Sequence, residues 1–279
     1  MKSKPLLARL LMLVTPIAGV SFAASPSQAA SLAYSGSEFN FYNFSQNPDT
    51  ISTLANTNTD VFSNGGVVDA LALAKANFTV DPAVASNSSV AQAFGENSGY
   101  FGLAQSQAQV LGNFIVEAGN PFYFDFTGLL EMGTEIDAPE IESASALGNT
   151  YFVLLDSTDS DNSIVLDYFG IAGNLTTPNN NDFLEFDNSE YVTLTNQSIE
   201  TSFGSNQEYG LAYFTGTYYR DFFSTINLTL VEVKQNEAKV KVPESSNTLA
   251  LLLFSTIGVG YGMKKATMKK EKVRRESCG

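Results

Sequence analysis

The sequence predicts an all-β protein: a two-sheet antiparallel sandwich, jelly-roll-like or Greek-key, with an N-terminal signal peptide and a C-terminal single transmembrane helix. Three observations carry the fold class. Apolar residues recur with period two in segment after segment, Gly, Asn and Asp collect between those segments, and no amphipathic helical stretch interrupts them. A chain of many such strands buries its apolar faces most simply by packing one sheet on another.

Residues 1–29 read as an export signal. Lys2, Lys4 and Arg9 give a basic start, Leu10 to Val20 an apolar segment, and Ser27-Gln28-Ala29 a small-residue site for signal peptidase after Ala29. Cleavage after Ala23 is the alternative, and a retained N-terminal anchor the competing reading. From Ala30 the body begins, and Phe39 and Phe41 alternate in its first strand. The polar runs Gln46 to Gly66 and Ser86 to Gly102 are expected to be loops. Between them Ala70, Ala72, Ala74, Ala76, Phe78 and Val80 share one face, opposite Lys75, Asn77 and Thr79. Val110 to Val116 continues the pattern. After the turn Gly119-Asn120-Pro121 come Phe122, Phe124 and Phe126 on one face, and Tyr123, Asp125 and Thr127 on the other. Three phenylalanines on one face require a second sheet to cover them. Further strands are expected at Asn149 to Leu155, Ser163 to Ile171, Phe183 to Phe186, Tyr191 to Thr195, Tyr209 to Tyr219 and Thr225 to Lys234, about ten in all. The first and last could pair. The sandwich is thus expected over residues 30–235, a stalk and sorting motif over 236–247, the membrane helix over 248–263 and a basic tail over 264–279.

Composition excludes several function classes. Between Ala30 and Val242 five bases (Lys75, Arg220, Lys234, Lys239, Lys241) face 26 acids, a net charge of −21, so nucleic acid would be repelled. The chain has no histidine, which removes Ser-His-Asp and Cys-His nucleophiles and His-ligated metals. Its one cysteine, Cys278, lies in the tail, so an exported body is built without disulfides. Carboxylate chemistry is what remains.

Three constellations invite a functional reading. Asp156, Asp159 and Asp161 sit between two strands and offer oxygen ligands that calcium could use, although Ile164 and Gly170 break the EF-hand pattern counted from Asp159. A solvated Asp/Ser turn with no cofactor is the expectation, and calcium binding the alternative. Glu131, Glu135, Asp137, Glu140 and Glu142 surround Pro139 and could supply paired carboxylates for glycoside hydrolysis, or keep a sheet edge from pairing. Tyr218, Tyr219 and Phe222 with Arg220 could make an aromatic sugar platform, or pack as strand residues. With 21 Phe and no Trp, core packing is the simpler account.

The chain's end is the most informative stretch. Val242-Pro243-Glu244 precedes an uncharged apolar run, 248–263, that would span roughly 24 Å as a helix against a hydrocarbon core of about 30 Å. Lys264, Lys265, Lys269, Lys270, Lys272, Arg274 and Arg275 follow, which by the positive-inside rule keeps the tail cytoplasmic and the body outside. A plain single-span tail anchor would account for the helix and tail. The ending resembles the PEP-CTERM sorting signal, with Ser245 where a second proline usually stands. That resemblance implies recognition of Val242, Pro243 and Glu244 by an exosortase-type membrane protease, release from the inner membrane to the cell surface, outer membrane or medium, and a structural or adhesive role among exopolysaccharide. A surface carbohydrate-binding module, or a carboxylate-dependent glycoside hydrolase on the same sandwich, is the alternative function.

Overall fold

The computed structural model describes residues 30–97 and 99–243, and every regular element among them is a β-strand. The expected cleavage site at Ala29, the motif residue Glu244, the apolar run and the basic tail lie outside the described residues. The twelve strands are β1 (Ala30–Tyr42), β2 (Thr50–Ser63), β3 (Val67–Thr79), β4 (Val84–Glu96), β5 (Tyr100–Val116), β6 (Pro121–Ile136), β7 (Ser143–Asp156), β8 (Ile164–Thr177), β9 (Phe183–Asn188), β10 (Val192–Ser202), β11 (Gln207–Asp221) and β12 (Ile226–Val242). They form two antiparallel six-stranded sheets, β10-β11-β6-β1-β4-β3 and β2-β5-β12-β7-β8-β9. The chain changes sheet at both sides of the sandwich, since edge strand β2 leads directly into edge strand β3, and β9 into β10.

Period two explains the layering. In β6, Phe122, Phe124, Phe126, Leu130 and Met132 are fully buried while Tyr123, Asp125 and Glu131 alternate outward. The rings interlock across the sheets: Phe126 lies 5.4 Å from Phe152 of β7 and 5.3 Å from Phe169 of β8. Edge-to-face and tilted pairs of this kind add to the area they bury. A second, smaller cluster packs Ala33, Ala91, Ala93, Tyr100, Ala104, Ile136, Ala144, Ala238, Val240 and Val242.

Four expectations need correction. Residues 46–66, expected as a loop, contain β2, whose Asn/Ser/Thr composition suits an edge strand with little of either face covered. Residues 86–102, also expected as a loop, form β4 and the start of β5. Their inward residues, Ala85, Asn87, Ser89, Ala91 and Ala93, alternate strictly, but they are small because the facing sheet is close. The expected stalk begins too early: Asn236, Ala238, Val240 and Val242 are 2, 0, 0 and 4 % exposed, so residues 236–242 are the second half of β12 and the sandwich runs past 235 to Val242. The first and last strands do not pair. They lie in different sheets and face each other across the core, where Ser35 Oγ donates to Asn236 Oδ1 at 2.7 Å.

Candidate functional site

Between the phenylalanine-rich and alanine-rich clusters the core carries a polar belt contributed by four strands. Along β1 the inward residues run Ala33, Ser35, Ser37, Phe39; along β4 Ala85, Asn87, Ser89, Ala91; along β5 Ala104, Ser106, Ala108, Val110; along β12 Leu230, Glu232, Lys234, Asn236, Ala238. Asn236 Nδ2 donates to Ser37 Oγ at 2.8 Å and to the Ser89 carbonyl at 3.1 Å, and the Ser89 and Ser106 hydroxyls are 2.6 Å apart.

The belt's centre is an ion-pairing group with no exposure at all. Lys234 Nζ lies 2.5 Å from Glu232 Oε1 and 4.8 Å from the centre of the Phe39 ring. The other carboxyl oxygen of Glu232 accepts from Asn87 Nδ2, while Asn87 Oδ1 is buried with no partner among the described residues. Burial pushes Glu232 above the usual carboxyl range, opposed by the Lys234 charge, and pushes Lys234 down to about 8. Both shifts favour the neutral pair, because a dry site penalises each charged form.

A second buried carboxylate ties the sheets at one corner. Asp167 of β8 accepts from Tyr218 Oη at 3.0 Å and from Arg220 Nη1 at 2.8 Å, and the Arg220 guanidinium sits 4.6 Å from the Tyr191 ring centre. Of the expected sugar platform, then, Tyr218 and Phe222 are buried and Arg220 is ion-paired. Tyr219 alone is open, its ring nearly parallel to that of Tyr123 at 6.1 Å.

The acidic constellation around Pro139 is not brought together as a set. Glu131 and Glu135 face outward on β6, whereas Glu142 turns inward and accepts from the amides of Asp137 and Ala138, both at 2.7 Å, with Tyr100 Oη at 3.4 Å. Burial pushes the Tyr100 phenol up to about 12. Glu208, likewise buried, accepts from the Gly204 amide at 2.8 Å and from Thr134 and Thr177.

The candidate calcium residues keep to their own turn. Asp156 Oδ1 accepts from the Thr158 amide at 2.9 Å. Asp159 Oδ1 accepts from the Asp161 amide and Oδ2 from Asn162 Nδ2, each at 3.0 Å, and these bonds hold the Asp159 carboxyl below its ordinary range. Of the expected sorting motif, Val242 is the buried last residue of β12 and Pro243 is exposed beyond it.

Asn87, Glu232, Lys234 and Asn236 do not stand out in the sequence, because polar and charged residues in a strand ordinarily face solvent. A signal was present: the alternation Ile226, Leu228, Leu230 resumes in register at Ala238, Val240 and Val242, so the intervening even-numbered positions must also point inward. Compared with protein-family models, with curated proteins and with solved structures, the chain matches none of them.

Proposed function

We propose that this chain is an exported, non-catalytic surface or matrix protein, delivered by a signal peptide and a PEP-type C-terminal signal and acting structurally or adhesively among exopolysaccharide. One observation supports it most. β12 closes at Val242 and the chain leaves the sandwich at the exposed Pro243, so the folded body ends where the expected sorting motif begins. Both ends leave from one pole: the Ala30 carbonyl accepts from the Asp137 amide, and Val242 pairs with Tyr100, whose hydroxyl meets Ser31. The buried carboxylates Glu142, Asp167, Glu208 and Glu232 are each taken up by hydrogen bonds inside the fold, which fits a structural use. The pairing of β1 with β4 and β6 is consistent with a jelly-roll-like or Greek-key subclass.

Expression in a host that carries an exosortase tests the reading. The mature surface form should end near Glu244, and Glu244→Ala should leave a membrane-retained precursor. Mass spectrometry detecting Cys278 in the surface-located protein would overturn it. A glycan-binding role is favoured by one feature, the exposed Tyr123 and Tyr219 pair on the outer face of β6 and β11. Loss of glycan retention in Tyr219→Ala, with wild-type binding present, would select that reading.

A further inference from the structure

The polar belt places an amine, a carboxyl group and a carboxamide in sequence in a dry core. Lys234 Nζ is on one oxygen of Glu232, Asn87 Nδ2 is on the other, and the amide oxygen of Asn87 has no partner among the described residues. We propose that Lys234 and Asn87 join through an intramolecular amide bond, with Glu232 as the acid and base between them. Lys234 comes from β12 and Asn87 from β4, so the bond would clamp one sheet to the other through the middle of the sandwich.

The chemistry balances without any co-reactant. A neutral Lys234 amine attacks Cγ of Asn87 as the carboxylic proton of Glu232 passes to the amide oxygen. Glu232 takes a proton from the former lysine nitrogen, and the tetrahedral carbon collapses as its hydroxyl proton passes to the Asn87 nitrogen, which leaves as ammonia. One C–N bond forms, one breaks, nothing is oxidised or reduced, and Glu232 ends protonated as it began. This needs a free-base amine and a protonated carboxyl, the forms that burial favours for both groups. It also needs the Asn87 oxygen turned to Glu232. A protonated Glu232 donates to the Asn87 oxygen instead of accepting from its nitrogen, so protonation of the carboxyl favours the turned carboxamide. Glu232 keeps the amine and the carboxamide on its two oxygens, so their encounter is intramolecular, where effective concentrations reach about 10⁵ M or more, and a bond made once per molecule tolerates a slow step. Phe39 over the amine and the apolar clusters on both sides exclude the water that would otherwise compete.

The physical benefit fits the composition. A body without cysteine has no disulfide to restrict its unfolded chain, and this bond would close a loop of about 150 residues. The inference does not depend on the sorting signal, because it can be measured in a host that lacks an exosortase.

The full chain, purified and denatured, should be lighter than its sequence by one ammonia. A protease cutting after lysine should cleave at Lys239 and Lys241 but not at Lys234, and a chymotryptic digest should yield one branched peptide carrying both Asn87 and Lys234. Glu232→Gln should restore the full mass and cleavage at Lys234, and Asn87→Ala should do the same should the first variant fail to fold. Wild-type protein of full sequence mass with separate Asn87 and Lys234 peptides, even after prolonged incubation, would overturn the proposal. An unaltered cross-link in a folded Glu232→Gln protein would overturn the role of Glu232.

Discussion

Glu131 shows how a single outward-facing acid can be held out of its comfortable range. It stands on β6 opposite Gly36 of β1 and Leu211 of β11, and this half-buried setting pushes its carboxyl above the ordinary 4.5. The Tyr34 ring lies over Gly36, and burial, with the Glu131 and Glu38 charges, pushes its phenol up as well. A carboxyl whose folded pKa is raised costs nothing below its unfolded value, and destabilises progressively as pH rises through the folded value. Glu131→Gln should therefore be more stable than the parent at neutral pH and equal to it below about pH 4, as read from urea midpoints at the two pH values. A constant difference across that range would mean that burial of the carboxylate is not the cause.

At the level of strands, glycine and phenylalanine work as reciprocal pairs. On β6 and β11, Gly128 lies opposite Phe214 and Phe126 opposite Gly216, and a Cβ on either glycine would come within 2.2 or 2.3 Å of the partner's ring. Each ring thus occupies the space its opposite residue leaves free. Gly128→Ala or Gly216→Ala should cost about 1–3 kcal/mol by overpacking, visible as a lower urea midpoint at unchanged slope. A neutral result would show that the rings can step aside. These pairs also show what was legible in the sequence and what was not. Phe122, Phe124 and Phe126 announce their strand because large apolar side chains set the period. β4 hides because its inward residues are Ala, Asn and Ser, chosen by the closeness of the opposite sheet, and that closeness is a tertiary fact. The last half of β12 hides for a different reason. Its inward Glu232 and Asn236 are bonded to Asn87, Ser35, Ser37 and Ser89, residues about 150 to 200 positions away that no local pattern can pair with them.

Taken whole, the body is an acidic sandwich in which two of the five bases are committed to ion pairs, Arg220 to Asp167 and Lys234 to Glu232. With 26 acids against five bases, self-repulsion should lower the melting temperature at low ionic strength, and salt should raise it as the Debye length falls from about 30 Å at 0.01 M to about 8 Å at 0.15 M. Calcium and magnesium at equal concentration should give equal shifts, since both oxygens of Asp159 are already engaged by Asp161 and Asn162. A larger calcium shift that disappears in the Asp159→Ala, Asp161→Ala double variant would instead make that turn a binding site.

The position of β12 settles how the molecule would answer a mechanical load. Tension on the chain beyond Pro243 runs along the axis of a strand paired on both sides, with β5 from Ile226 to Val242 and with β7 from Leu228 to Lys241. Rungs that lie across the direction of pull are sheared together and share the force, whereas an edge strand drawn sideways would peel one rung at a time. The fold presents its handle in the orientation that resists being drawn out.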